Sequence, residues 1–220
     1  DMLAILMVVS VHPTVLHEDS TLVSGDFPGH ARASLQADYG DIPVVYFTGA
    51  AGNQSPRHYT RENTVAEASR LGGLLAESVK AALKGIEFES NPRLGMASIE
   101  VEEFPFNDFP EVEAAKQREE RLLSRFEAMR AAGEDSRAVR TAETDWFGAI
   151  RMRLLSERKA SGELEVKSRE KCLPAEVQVL RVGSHLLVAW PGEVFVEFAL
   201  ALREQRPDCR VVTYANGHTQ

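Results

Sequence analysis

Two uninterrupted apolar runs constrain this chain more than any other feature. Residues 2–11 read MLAILMVVSV and residues 42–48 read IPVVYFT. Both are rich in Val, Ile and Leu, and neither alternates with polar residues. Each therefore suits a strand covered on both faces. Each also ends abruptly, the first on Val11-His12-Pro13-Thr14 and the second on the small, polar stretch TGAAGNQSP (48–56). The first run is too short to cross a bilayer. It follows Asp1 directly, with no basic leader and no small-residue cleavage pattern, so the chain is expected to be a piece of a longer polypeptide.

The remaining pattern is mixed. Residues 64–84 read as a helix, with Thr64 and Glu67 as a capping-box pair, apolar residues at 65, 68, 71, 75, 79, 82 and 83, and Gly85 at the stop. Residues 94–104 alternate like a half-buried strand. A charged segment follows, with one apolar face through Val112, Ala115, Leu122, Phe126 and Met129 and a second through Val139, Ala142, Trp146, Ile150 and Leu154. It predicts a helical hairpin inserted over 108–165, turning at AAGED (131–135) and returning through KASGEL (159–164). In that hairpin Phe126, Trp146 and Ile150 either line an apolar groove or, the favoured use, pack the two helices together. Strands at 176–182, 185–190 and 210–214, with a helix from about 194 to 203, complete the order. The expected class is mixed α/β: a central, largely buried sheet flanked by helices, with the hairpin insertion.

The balance of charge narrows the function. Hydrophobic residues make up 44% and charged residues 26%, enough for a sizeable core, but the net charge is −8. A chain this acidic lacks the basic face that nucleic-acid binding needs. Cys172 and Cys209 are too few for a disulfide scaffold and read as incidental small hydrophobes.

Four strand ends empty into chemistry-bearing residues: VHPT, TGAAGNQSP, WPGEV and YANGH. Ligands of open α/β sheets bind beyond the carboxyl ends of strands, so these four ends are expected to meet. They carry His12, Asn53 with Ser55, Glu193, and Asn216 with His218. His12 suits a strand-end histidine bonded to a carbonyl, or a metal ligand stiffened by Pro13. Glu193 suits the start of a helix, or a ligand. The glycine-rich stretch has neither the spacing of a P-loop or dinucleotide fold nor that of a nucleophile elbow. It makes Ser55, next to Pro56, a candidate hydroxyl. His17, His30 and His58 sit in polar loops and read as solvated.

The blocks VHPTVL…LVSGDFPG, FTGAAGNQSP and AEVQVLRVGSHLLVAWPGEVFVEFALALRE, in that order, resemble the neutral/alkaline (non-lysosomal) ceramidase family and its bacterial relatives over residues 1–85 and 174–218. Residues 105–170 do not share the resemblance. It implies a zinc amidase that cleaves the amide between a fatty acid and sphingosine, with zinc held by two histidines, a glutamate and a tyrosine. The family's HP histidine falls on His12, its PGE glutamate on Glu193, and the serine of its Gly-Asp-Val-Ser-Pro-Asn motif on Ser55. Here Asn53 replaces the aspartate and Arg57 the asparagine. The resemblance puts Gly52, Asn53, Arg57 and Asp26 on the substrate side. It places the second histidine ahead of Asp1 and the ligand tyrosine beyond Gln220, with Tyr214 on the last strand and ahead of that position.

On this resemblance residues 1–220 are part of one zinc-amidase-like domain truncated at both ends, and hold two of four ligands, too few for a firm zinc site. The substrate is a lipid or other N-acyl compound, the compartment secreted or periplasmic. Ser55 is either the nucleophile or a group that positions substrate or water. Two other readings stand beside this one. One is a catalytically silent relative that binds a lipid or glycan; the other is a metal-independent serine hydrolase using Ser55 with His58 or His218.

Overall fold

The computed structural model describes residues 2–17 and 20–217. The order is β1 (Ile5–Val9), α1 (Asp26–Tyr39), β2 (Val44–Thr48), α2 (Val65–Leu83), β3 (Leu94–Val101), α3 (Val112–Ala131), α4 (Ser136–Ala160), α5 (Glu163–Cys172), β4 (Ala175–Val182), β5 (His185–Ala189), α6 (Val196–Gln205) and β6 (Cys209–Val212). The class is mixed α/β, as expected. The chain divides into two compact units, Asp1–Glu100 with Ala175–Gln220, and Val101–Pro174.

In the first unit β1 and β2 pair in parallel, from Ile5 opposite Val44 to Val9 opposite Thr48. Ile5, Met7 and Val44 face inward against Ala31, Leu35 and Ala76 of α1 and α2. Leu6 points away and is 59% exposed. Continuous apolarity predicts cover on both faces; on the face away from the helices Leu6 and Val45 are exposed, while Val8 and Phe47 are half-buried. Helix α1 has no counterpart in the sequence reading, because Pro28-Gly29 looks like a break. Pro28 instead occupies the first turn, where a missing N–H costs nothing. Phe27, Ala31 and Leu35, four apart, form its buried stripe.

The start of α2 is half of a capping box. Thr64 Oγ1 accepts the Glu67 N–H at 3.2 Å. The Glu67 carboxylate does not reach back to Thr64. It accepts the Arg61 N–H at 2.9 Å and both Nε and Nη2 of Arg70, at 2.8 and 2.6 Å. That guanidinium holds the buried carboxyl down at about 2, well below the usual range. Further along, α1 and α2 approach so closely that a Cβ on Gly72 would lie 2.7 Å from the Phe27 carbonyl oxygen and 2.9 Å from the Ala31 nitrogen.

The other sheet of this unit runs β3-β4-β5-β6. β4 and β5 form an antiparallel hairpin turning at Gly183, whose φ of +61 suits glycine. β5 and β6 are parallel. α6 lays Ala199 and Leu202 against Val211, Val194 and Trp190. β3 is exposed along nearly its whole length rather than half-buried. The strands thus fall into two sheets, joined where Thr213, just past β6, donates its N–H to the Thr48 carbonyl at 2.9 Å.

The second unit is helical. The Asp135 carboxylate caps α4, accepting the N–H groups of Arg137 and Ala138 at 3.1 Å each. Phe126 of α3 stacks on Trp146 of α4, ring centres 5.8 Å apart. Those aromatic residues therefore pack one helix on the other. The expected return loop over 159–164 narrows to Ser161-Gly162, because α4 runs to Ala160 and Glu163–Cys172 form α5, entered through Gly162 at φ +76.

Two substitutions in α2 should act in opposite directions. Gly72→Ala pushes a methyl group into the backbone of α1 and should cost about 1–3 kcal/mol. Gly73→Ala meets nothing within 4 Å and should stabilise by about 0.5–1 kcal/mol; urea unfolding of both variants checks the pair. Glu67 has a pH signature. Its folded-state value lies below its unfolded one, so its contribution is complete above about pH 5 and disappears as pH falls towards 2. The stability gap between wild type and Glu67→Gln, followed by thermal unfolding across that range, should close on acidification.

Candidate functional site

The four strand ends do meet, and the 48–56 loop is what joins them. Its Gly49 N–H donates to Val9 of β1 at 2.9 Å. Its Gln54 carbonyl accepts the His12 N–H at 2.9 Å. On its other side the Gly52 N–H donates to the Val194 carbonyl, also at 2.9 Å. Thr213 closes the set, since its hydroxyl donates to the carbonyls of Thr48 and Gly49, 3.1 Å from each. The ends of β5 and β6 are tied to one another through Trp190 with Val212 and Ala215 with Trp190. The segments bearing His12, Ser55, Glu193 and Tyr214 therefore lie around one loop.

The His12 segment is pinned on three sides. Besides the Gln54 contact, Tyr46 donates its hydroxyl to the Val11 carbonyl at 3.3 Å; burial pushes that phenol up to about 12. The third tie is Asp26. One carboxylate oxygen accepts the N–H groups of Val15 and Leu16, both at 3.0 Å, and the other accepts its neighbour Phe27 at 2.8 Å. Asp26 is 5% exposed and sits at φ +50, a left-handed conformation that aspartate tolerates better than most residues. The family resemblance puts this residue on the substrate side. In the structure its carboxylate serves the backbone. Buried, with both oxygens committed to backbone amides, Asp26 fixes the loop that follows His12.

Gly52 and Asn53, also expected on the substrate side, have contacts within the fold. A Cβ on Gly52 would stand 2.7 Å from the Glu193 carbonyl oxygen and 2.6 Å from the Phe195 ring, so this glycine admits the 191–195 loop. Asn53 donates to both oxygens of Glu197, at 2.9 and 2.8 Å, and accepts the Val196 N–H at 3.0 Å. It thereby serves the first turn of α6. Arg57 lies half-buried in the one-turn helix Pro56–His58. Ser55 caps that turn, its Oγ accepting the Arg57 N–H at 3.3 Å, and keeps its hydroxyl proton to donate.

The sequence leaves Glu193 two uses, and hydrogen bonding bears on one of them, the capping of α6. The first-turn amide of α6 is served by Asn53, so no hydrogen bond makes Glu193 its cap. Its carboxylate accepts instead the hydroxyl of Tyr214. Burial and this contact hold the Tyr214 phenol above its ordinary range. Sequence pattern puts Tyr214 on the last strand, ahead of the site. In the structure β6 ends at Val212, and Tyr214 occupies the strand exit at φ +58. The sequence signal for this is the turn-forming Ala-Asn-Gly immediately after it. His58 is exposed, His17 meets Asn63 at 2.9 Å, and His218 lies outside the described residues.

The fold has a known counterpart. It is shared with a bacterial neutral ceramidase. The crystal structure of neutral ceramidase from Pseudomonas aeruginosa superposes with a TM-score of 0.60 at 15% identity, over 99% of this chain and 38% of that one. At that identity the likeness is one of fold, and the chain spans well under half of that protein's length. No family model and no curated protein matches the sequence. Among the described residues no helix is long and apolar enough to cross a membrane, and no group of three or more His, Cys, Asp or Glu gathers as a metal site.

Asp26 supplies a direct test. Asp26→Ala takes the acceptor from three amides, those of Val15, Leu16 and Phe27, and forces alanine into the left-handed region, so it should lower unfolding stability by about 2–4 kcal/mol. Asp26→Asn keeps an acceptor oxygen and the tolerance for positive φ, and should lose less; denaturant titration of both variants orders them.

Proposed function

We propose that this chain carries part of the catalytic face of a zinc-dependent amide hydrolase acting on ceramide or a related N-acyl compound. The observation that carries the reading is the gathering of four strand ends on the 48–56 loop, with the His12 segment on one side and the Glu193 segment on the other. The ceramidase fold supports the same reaction class.

The donor chemistry fits zinc, which takes imidazole nitrogen and carboxylate oxygen. The His12 ring makes no hydrogen bond among the described residues, and Glu193 has one oxygen engaged by Tyr214. His12 and Glu193 would hold the metal, as two of its ligands. When bound, zinc polarises the amide carbonyl and makes water a nucleophile near neutral pH.

The protein's own part is positional. Asp26, Tyr46 and the Gln54 carbonyl keep the backbone around His12 fixed before any ligand arrives. Ser55, whose Oγ already accepts the Arg57 amide, donates its proton to the substrate carbonyl or to water, or attacks as the nucleophile.

Elemental analysis of the intact protein, paired with hydrolysis of a panel of N-acyl amides, tests the reading. The expected result is bound zinc, lost in His12→Ala and Glu193→Ala, and amide cleavage abolished by chelators. Ser55→Ala should retain zinc while losing turnover. Protein without zinc that cleaves no amide would remove the enzymatic reading and leave a lipid- or glycan-binding relative.

A further inference from the structure

We propose that Tyr214 is a positioning residue that orients the Glu193 carboxylate for the metal, and is not itself a ligand. The inference rests on the zinc reading above. Its basis is the way residue 214 is held. Tyrosine at φ +58 sits in a region that bulky side chains avoid, a conformation that persists only where its surroundings enforce it. Here they do. Thr213 is anchored to the end of β2 by its N–H and hydroxyl, and Ala215 donates its N–H to the Trp190 carbonyl at 3.0 Å. Tyr214 is thus set between two fixed neighbours. Its own N–H reaches towards the Gly192 carbonyl at 3.4 Å, and its hydroxyl donates to Glu193 Oε1. Main chain and side chain of one strained residue both address the Gly192-Glu193 pair.

The consequence for Glu193 is asymmetry. Oε1 is taken by the phenol, while Oε2 has no hydrogen-bond partner among the described residues. A carboxylate that ligates through one oxygen is commonly held by an outer hydrogen bond on the other, and removing that partner typically weakens metal binding about 10–100-fold. The alternative use of Glu193, capping α6, is already met by Asn53. Tyr214 is therefore what fixes this carboxylate.

Equilibrium competition between the intact protein and a chromophoric zinc chelator tests the inference, with Tyr214→Phe as the variant because it deletes only the hydroxyl. Melting of the metal-free variant verifies that it folds. The expected outcome is zinc affinity weakened about 10–100-fold, with the zinc-induced tyrosinate absorbance unchanged from wild type. Equal affinity in wild type and variant overturns this inference alone. A tyrosinate signal present in wild type and missing from Tyr214→Phe makes Tyr214 a ligand and also overturns it. Wild-type protein that takes up no zinc overturns the zinc reading and this inference together.

Discussion

The backbone of residues 48–56 is the point on which the rest depends. It donates to β1, accepts from His12, donates to Val194 and receives Thr213, all through main-chain groups or a threonine hydroxyl. No side chain on that loop has to be large or charged for this to work; what matters is that its atoms come close. Gly52 shows why the composition is small. A single methyl group there collides with the Glu193 carbonyl. The glycine-rich character of the loop is thus a requirement of assembly, and whatever chemistry the loop performs is built on that assembly.

A division of labour follows from the same contacts. Asp26, Gly52 and Asn53 spend their polar groups or their lack of a side chain on the protein itself. His12, Ser55 and Glu193 keep capacity in hand: an imidazole without a partner among the described residues, a hydroxyl proton, and a carboxylate oxygen. The polar residues around the loop therefore separate into those whose groups are committed within the fold and those that keep a hydrogen-bonding group unengaged among the described residues.

How much of this is legible in the sequence depends on whether the signal is local. Strand ends, the cap at Thr64 and the exits bearing His12 and Glu193 are readable, because apolar runs and small polar residues lie side by side along the chain. Helix α1 is not: its buried stripe of Phe27, Ala31 and Leu35 is thin, and Pro28-Gly29 imitates a break. Asp26 and Tyr214 escape a sequence reading for a related reason. Their roles are set by partners at Val15 and Glu193, far off in sequence or across a turn, and by positive φ angles that residue identity only hints at. The exposure of Leu6 on the outer face of β1 is also invisible, since an apolar run says what a strand can bury and not what is present to bury it.

The way the helical unit is spliced in has its own implication. Gly183 donates to Arg93, and Gly95 lies opposite Arg181, so β3 and β4 run antiparallel as neighbours. The chain leaves that pair after Val101 and re-enters at Ala175. Topologically, everything between is one enlarged hairpin connection. Natural variation can lengthen, replace or delete such a cassette without rethreading a strand, which leaves this stretch open to diverge while the two-sheet scaffold stays put.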